Sequence, residues 1–90
     1  MKKKRFFTKK FYTVAELANL LINSRESINI MFEAYKKYPK DELVLYNLQH
    51  AYDMAYELNY LLEQNDAVDI VVDYAEGIDR TTGNNKIYVK

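Results

Sequence analysis

Residues 13–64 read TVAELANLLINSRESINIMFEAYKKYPKDELVLYNLQHAYDMAYELNYLLEQ, and they contain two helix-length segments joined at Pro39. Thr13 and Glu16 have the spacing of a capping box, which predicts that the first helix begins here. Pro39 cannot continue a helix, and it disfavours helical backbone angles at Tyr38. The sequence therefore predicts one helix on each side of this proline.

Apolar residues on both sides of the proline recur at alternating spacings of four and three, which is heptad spacing. The positions in the first segment are Leu17, Leu21, Ser24, Ile28, Met31, Tyr35 and Tyr38, where Ser24 is one polar interruption of the seam, and those in the second are Val44, Leu48, Ala51, Ala55, Leu58 and Leu62. Such spacing lines up the side chains on one face of each helix. Because the link between the helices is short, we expect antiparallel neighbours whose two faces pack together.

The fold class that follows is mainly α, with a long antiparallel helical hairpin of residues 14–38 and 41–64. A basic N-terminal arm (1–12) precedes this hairpin (13–64), and an acidic tail (65–90) follows it within a single small domain. Two glycines and one proline in 90 residues argue against a loop-rich or all-β fold.

Composition also limits the cellular setting. The chain has no cysteine, so no disulfide can reinforce the thin core of a 90-residue protein. No apolar run approaches the roughly 18 residues of a membrane span. The basic start lacks the apolar region that follows in a signal peptide. We therefore expect a cytoplasmic protein that does not span a membrane.

The net charge of zero conceals a division between two halves of the chain. Residues 1–40 hold ten Lys or Arg against three Glu, a net charge of +7. Residues 41–90 hold three Lys or Arg against ten Asp or Glu, a net charge of −7. This polarity suits attraction between the two helices, head-to-tail pairing of copies, or presentation of a charged face to a partner.

Four of the nine tyrosines lie in the second segment but outside its heptad positions. These are Tyr46, Tyr52, Tyr56 and Tyr60. A helix with two apolar stripes contacts two things, and the sibling helix accounts for one. We predict that the terminal segments or a second copy of the chain cover the tyrosine stripe, which makes a homo-oligomer the expected state. Tyrosine suits such an interface because it buries a large ring and keeps a hydroxyl for a polar partner.

The arm combines basic and aromatic residues, a combination that is typical of phosphate and base recognition. The predicted contacts to an anionic ligand are Lys2, Lys3, Lys4, Arg5, Lys9, Lys10, Phe11, Tyr12 and Arg25. The structural alternative is that the aromatic residues of the arm dock on the hairpin. Those residues are Phe6, Phe7, Phe11 and Tyr12.

The tail admits two predictions. As a helix, residues 66–76 would be capped by Asp66 and ended by Gly77. As a strand, the same residues show alternation of β-branched and acidic side chains. We favour the helix. Residues 87–89 are a candidate closing strand. A tail with two strands would need the arm or another subunit as a third strand, because a lone pair of strands is marginal.

Residues 12–28, YTVAELANLLINSRESI, resemble the opening of an excisionase or MerR-type helix-turn-helix. Those families typically read Tyr-Thr-Val-x-Glu-Leu-Ala-x-Leu-Leu, then Gly-Val-Ser-Arg, then a second helix. The further matching positions here are Ala18, Leu21, Ser24, Arg25 and Ile28. The resemblance implies a recognition helix of residues 24–35 in a DNA major groove, with Arg25, Ser27 and Asn29 facing the DNA.

The same stretch departs from that family at the turn. Ile22 stands where the family has a glycine with positive φ, a conformation that β-branched residues adopt poorly. Asn23 stands where the family buries an apolar residue, and an acidic helix follows where the family has a basic wing. The heptad spacing continues through residues 22–24, so we favour one continuous helix.

The helix–proline–helix arrangement is also similar to the small oligomeric hairpin proteins with which phages sequester cyclic-nucleotide immune signals. The similarity is architectural and rests on Pro39 followed by Leu48, Ala51 and Ala55. It implies a ligand bound between protomers, but it assigns no ligand residue in this chain.

Nothing in the sequence forms a catalytic or metal-binding motif. His50 is the one histidine, and no cysteine accompanies it, so no metal and no cofactor are predicted. General acid–base catalysis needs a poised pair of groups in a cleft. We expect Asp53, Glu57 and Glu63 to form a solvated face instead, and the protein not to be an enzyme.

We therefore expect a small binding protein of phage or mobile-element type that sequesters or inhibits a partner. The partner is an anionic nucleotide-type ligand bound between subunits, or a host protein. One alternative is a helix-turn-helix DNA-binding regulator. A second is an inhibitor whose acidic residues imitate nucleic acid toward a basic host protein. Those acidic residues are Asp53, Glu57, Asp69, Asp73 and Glu76.

Overall fold

In a computed structural model, residues 6–89 are described, and they form three helices and two short strands. The order is β1 (Phe11–Thr13), α1 (Val14–Lys37), α2 (Glu42–Gln64), α3 (Val68–Ala75) and β2 (Lys86–Tyr88). Helices α1 and α2 pack against each other as a hairpin, which confirms the predicted mainly α fold. Within residues 6–89, none of the helices combines the length and the apolarity that crossing a bilayer requires.

The start of α1 has a partner for each of its first three backbone N–H groups. Thr13 and Glu16 form the predicted capping box, in which the Glu16 N–H donates to Thr13 Oγ1 and the Thr13 N–H donates to Glu16 Oε1, each at 3.2 Å. The loop before β2 supplies the other two acceptors. The N–H of Val14 donates to the Asn85 carbonyl at 2.9 Å, and that of Ala15 to the Gly83 carbonyl at 3.1 Å.

The break at Pro39 lies within one residue of the predicted helix ends. Helix α1 ends at Lys37 because Tyr38, with φ −131° and ψ 66°, has the non-helical backbone that a following proline favours. Asp41 is the N-cap of α2, and its carboxylate accepts the N–H groups of Leu43 at 2.9 Å and Val44 at 3.3 Å. The heptad segments are thus two separately capped helices.

Residues 22–24 lie inside α1, so the preference for one continuous helix is confirmed. Ser24 is buried, and its hydroxyl donates to the Leu21 carbonyl at 2.9 Å. It therefore belongs to the packed face of a long helix. In a helix-turn-helix it would instead open a second helix after a turn at Ile22.

Residues 68–75 form α3, which confirms the favoured helix over the strand alternative. The predicted cap is wrong, however. Ala67 holds the N-cap position without a side-chain hydrogen bond, and Asp66 has a positive φ of 50° in the link from α2. The link turns tightly because the Ala67 N–H donates to the Leu62 carbonyl at 2.8 Å, so the Asp66 side chain does not cap the new helix.

The end of α3 agrees with the prediction. Gly77 has φ +78°, a conformation in which a residue with a Cβ is strained. Its N–H donates to the Tyr74 carbonyl at 3.1 Å, and the Ile78 N–H donates to the Asp73 carbonyl at 2.9 Å. These two bonds form a Schellman motif, which satisfies the last carbonyls of the helix.

The arm and the tail meet in a two-stranded antiparallel sheet. Phe11 pairs with Tyr88, Tyr12 with Ile87 and Thr13 with Lys86. The closing strand is therefore present one residue earlier than predicted, and within residues 6–89 it pairs with the arm of the same chain alone. The Asn65 side-chain amide ties the sheet to the end of α2, since it donates to the Tyr88 carbonyl at 3.1 Å and to the Leu61 carbonyl at 2.9 Å.

The core lies at the end of the hairpin that is remote from Pro39, which we call the base. Its buried cluster comprises Tyr12, Val14, Leu17, Ala18, Leu21, Leu58, Leu61, Leu62, Ala67, Val71 and Ile87. Helix α3 and the sheet contribute to this cluster, so the base has a third layer. The heptad positions that reach this layer are buried as predicted.

Residues 28–48, which we call the tip, lack that third layer. Several large apolar side chains there are open to solvent, with Ile30 63% exposed, Tyr38 60% and Leu43 68%. The heptad residues of the tip, such as Ile28 and Val44, are half-buried, apart from Tyr38. The seam that the sequence predicts over the whole hairpin is therefore a full core only at the base.

Candidate partner-binding surface

Four tyrosines lie on the side of α2 that faces away from the core. Tyr46, Tyr52, Tyr56 and Tyr60 are 68%, 49%, 71% and 57% exposed. At about 100° and 1.5 Å per residue, they occupy about a third of the helix circumference and about 21 Å of its length. Leu45, which is 40% exposed, extends the same surface. We call these five residues the tyrosine face.

The tyrosine face belongs to an acidic helix. Between residues 42 and 64 the chain has four carboxylates and no Lys or Arg. Asp53 and Glu63 are exposed, and each lies three positions from a tyrosine of the face, which makes them neighbours on a helix. The faces of aromatic rings attract cations, and carboxylates pair with them directly. The surface therefore has the chemistry of a cation-binding surface.

Lys9, one of the arm residues predicted to bind an anion, has internal contacts. Lys9 Nζ lies 2.8 Å from Glu16 Oε2 and 4.8 Å from the centre of the Tyr12 ring. The side-chain hydrogen bond with Glu16 is the main reason that the pKa of Lys9 is raised. The same bond, followed by that from the Thr13 N–H, lowers the pKa of Glu16. The charge of Lys9 is thus directed to the start of α1.

Tyr12 is a core residue that is 8% exposed. Its hydroxyl oxygen accepts the N–H groups of Thr8 at 3.0 Å and Lys9 at 3.3 Å. The ring of Phe7 meets its ring edge-on, with 5.5 Å between the centroids. This burial is at odds with the predicted stacking of Tyr12 on a ligand, and we assign Tyr12 to the core.

The remaining predicted anion contacts are not gathered into one site by the described residues. Phe11 is half-buried, with its ring centroid 5.8 Å from that of Tyr88 and 4.7 Å from Lys86 Nζ. Lys10 is exposed. Arg25 is exposed on α1, twelve residues or about 18 Å along the helix from Thr13. Outside the described residues lie Lys2, Lys3, Lys4 and Arg5.

The first described residues of the arm pack on α2, as the docking alternative predicted. The ring of Phe6 meets His50 edge-on at 5.1 Å between centroids, and Tyr46 stacks on His50 at 6.4 Å. Phe7 packs against the core cluster. The arm therefore covers one flank of α2 and leaves the tyrosine face beside it exposed.

A cavity of about 230 Å³, which we call the aromatic pocket, lies between the arm and α2. Its lining is formed by Phe6, Phe7, Glu57, Tyr60, Leu61, Gln64 and Val89. One carboxylate oxygen, Glu57 Oε2, is buried and has no hydrogen-bond partner within residues 6–89. Glu57 is therefore not part of a solvated face, which corrects the expectation from the sequence.

A second cavity, of about 390 Å³, lies between α1 and α2. It forms where the small side chains of Ser24 and Ala51 stand at heptad positions that larger residues fill elsewhere. Asn23, Asn47 and His50 contribute polar groups to its lining, and none of the Asp, Glu, Lys or Arg residues between positions 6 and 89 lines it. The weak point of the predicted seam, Ser24, is thus where the two helices leave space between them.

Residues 6–89 contain no group of three or more His, Asp or Glu side chains placed to hold a metal ion. The pKa of Asp79 is lowered because the Thr81 hydroxyl donates to its carboxylate at 2.6 Å and the Thr81 N–H at 2.8 Å. These two hydrogen bonds form a local turn between Asp79 and Thr81.

Glu57 is the residue whose importance the sequence analysis missed. Its position three residues before Tyr60 and four before Leu61 places it on the same flank as both side chains. That spacing was readable from the sequence, but the position of Phe6 and Phe7 over the same flank was not.

Comparison of this chain with protein-family models, with curated proteins and with solved structures gave no match.

Proposed function

We propose that this chain is a small non-enzymatic binding protein that sequesters or inhibits a protein partner. The tyrosine face of α2 is the contact surface, and the partner presents basic side chains to it. The observation that supports this most directly is the exposure of four tyrosines on a helix with four carboxylates and no Lys or Arg.

Burial of a row of exposed tyrosine rings against a partner is favourable. Each ring has a large apolar area, and a row of them on one helix is an exposed patch of the kind that marks interaction sites. Tyrosine is also enriched among the residues that dominate binding energy at interfaces. Around Tyr56 and Tyr60, the opposite side of α2 is anchored in the core through Leu58 and Leu62.

The charge of α2 favours a basic partner over symmetric self-association. A two-fold pairing of α2 with α2 of another copy would bring two sets of four carboxylates together without a basic residue on either helix. Like charges placed opposite each other disfavour such an interface. A basic partner instead gains cation–π contacts and ion pairs with the same residues.

Two other functions from the sequence analysis receive less support from the fold. Capture of an anion by the arm would draw on Lys9, which is paired with Glu16, and on Tyr12, which is buried. Reading of DNA by residues 24–35 would use a helix whose first residue, Ser24, is buried in the middle of α1. The experiment below tests both of these functions as well.

The test measures binding of a fluorescent Arg-Ala repeat peptide, with a Glu-Ala repeat peptide of the same length as the charge control. We expect the basic peptide alone to bind, with an affinity that falls as salt rises. The double variant Tyr52→Ala/Tyr56→Ala should weaken binding by at least about tenfold, as expected for central aromatic contacts. Tyr38→Ala is the matched control, since Tyr38 is 60% exposed and lies outside α2.

Three results would count against the proposal. The first is equal affinity for both peptides, and the second is equal loss of affinity in the α2 and Tyr38 variants. The third is tight binding of a nucleotide or duplex DNA that the double variant retains. Light scattering of the protein alone tests self-association. A dimer that resists salt and is lost in the double variant would assign the tyrosine face to contact between copies of the chain.

A further inference from the structure

The aromatic pocket and the tyrosine face are neighbouring parts of one surface. Tyr60 belongs to both, because it lines the pocket and continues the row of exposed tyrosines. A partner that covers the face therefore also covers the mouth of the pocket. The rings of Phe6, Phe7 and Tyr60 form its aromatic walls.

The carboxylate of Glu57 is the group of this pocket from which we infer the chemistry of a ligand. Its Oε2 atom is shielded from water and accepts no hydrogen bond from residues 6–89. A buried acceptor without a donor is destabilising, because it has given up its bonds to water without replacement. A donor that enters the pocket recovers that loss, and a positively charged donor recovers most.

We propose that the aromatic pocket binds the guanidinium group of an arginine side chain from the partner. This inference rests on the proposed function, since it names the group on the partner that the surface recognises. The planar guanidinium stacks on an aromatic ring and donates from its edge to the carboxylate of Glu57. Aromatic walls with one carboxylate thus match both parts of this cation.

The dimensions and the charge of the pocket favour this ligand over others. A cavity of about 150 Å³ is enough for a benzene molecule, so 230 Å³ accepts a guanidinium with part of its methylene stem. Among residues 6–89, no Lys or Arg lines the pocket, which disfavours an anion. A neutral apolar ligand would leave Glu57 Oε2 without a donor. A lysine ammonium is more strongly hydrated and lacks the planar face that stacks on a ring.

The experiment titrates the full chain with ethylguanidinium and follows backbone amide shifts by NMR. Ethylurea is the neutral isostere, and ethylammonium is the amine control. We expect saturable shifts at Glu57, Tyr60 and Leu61 with ethylguanidinium, at least about tenfold weaker binding of ethylammonium, and none of ethylurea. Glu57→Gln should weaken ethylguanidinium binding at least tenfold, since it keeps the shape and removes the charge.

Two further variants separate binding in the pocket from general electrostatic attraction. Tyr60→Leu removes one aromatic wall and should weaken binding about threefold or more. Glu63→Gln removes the same charge as Glu57→Gln from an exposed position of α2 outside the pocket, and should leave binding unchanged within about twofold. Equal binding of ethylurea, or equal effects of the two glutamate variants, would overturn the proposal.

The arm supplies the alternative occupant, since Lys2, Lys3, Lys4 and Arg5 directly precede Phe6 in the sequence. A variant with serine at all four positions tests it: binding of ethylguanidinium by this variant alone would assign the pocket to the chain's own cations and overturn the partner assignment. Absence of binding in both proteins would overturn the pocket altogether. Loss of the Arg-Ala peptide through Tyr52→Ala/Tyr56→Ala would still support the proposed function in that event.

Discussion

The base and the tip of the hairpin have the same heptad spacing and different degrees of burial. At the base, Leu17 and Leu58 are fully buried. At the tip, the heptad residues Ile28 and Leu48 are only half-buried, and Tyr38 is 60% exposed. The difference is the third layer, because α3 and the sheet cover only the base. Two helices alone cannot fully bury the side chains between them, so one repeating pattern produces a core at one end and a half-covered seam at the other.

The largest expected difference between the two ends is in the cost of removing a leucine side chain. Leu58→Ala should lower the free energy of unfolding by about 2–5 kcal/mol, since it removes a buried side chain and leaves a cavity. Leu48→Ala at the tip should lower it by no more than about half of that amount, because this heptad side chain is only half-buried. Urea unfolding followed by circular dichroism measures both values.

Comparable losses in the two variants would break the comparison. That result would mean that Leu48 is covered in solution, and the mass of the protein by light scattering would then show whether a second copy covers it.

The two helix caps give a smaller contrast. Thr13→Ala at the base should lower the free energy of unfolding by about 1 kcal/mol, the usual effect of losing an N-cap. Asp41→Ala removes a comparable cap at the tip. We expect it to speed amide exchange in the first turn of α2 and to cost less than half as much global stability, because a poorly covered tip opens locally.

Thr8→Ala is the control for the cap at the base, since Thr8 is exposed and only its backbone N–H contacts Tyr12. Equal global losses for Thr13→Ala and Asp41→Ala, with unchanged local exchange at the tip, would show that the tip and the base unfold as one unit.

The smallest expected effect is the pH dependence of the ion pair at the start of α1. The pKa of Glu16 lies below its ordinary value of 4.5 in the folded chain, chiefly because Lys9 donates a hydrogen bond to it. A carboxylate whose folded pKa is lowered stabilises the fold above its unfolded pKa and loses that contribution as the pH falls through the folded value. We therefore expect Glu16→Gln to flatten the decline in urea midpoint below pH 4.5.

Glu26→Gln is the matched control, because Glu26 is an exposed carboxylate on the same helix. Glu26→Gln should leave the slope of the urea midpoint against pH, between neutral and acid pH, close to that of the parent protein. A Glu16→Gln profile parallel to the parent would show that the pair with Lys9 contributes nothing to the pH response. Both groups are solvent-exposed, so added salt should reduce the effect.

The elements that the sequence predicted well are those with local causes. The capping box, the break at Pro39 and the glycine end of α3 each depend on residues within five positions of one another. The start of α3 was wrong because the short link from α2 positions its backbone, and a capping residue type alone does not settle that geometry. The candidate site was predicted in part: the tyrosine row follows from helical spacing, while the burial of Tyr12 depends on β2.

By itself the sequence determined where helices begin and end, which side chains share a helix face, and how charge divides along the chain. These properties follow from backbone geometry and from contacts between near neighbours. Only the tertiary structure decided which half of the seam becomes a core and that one oxygen of Glu57 is buried beneath the arm. Both depend on β1 pairing with a strand more than seventy residues away, which brings the two ends of the chain to the base of the hairpin.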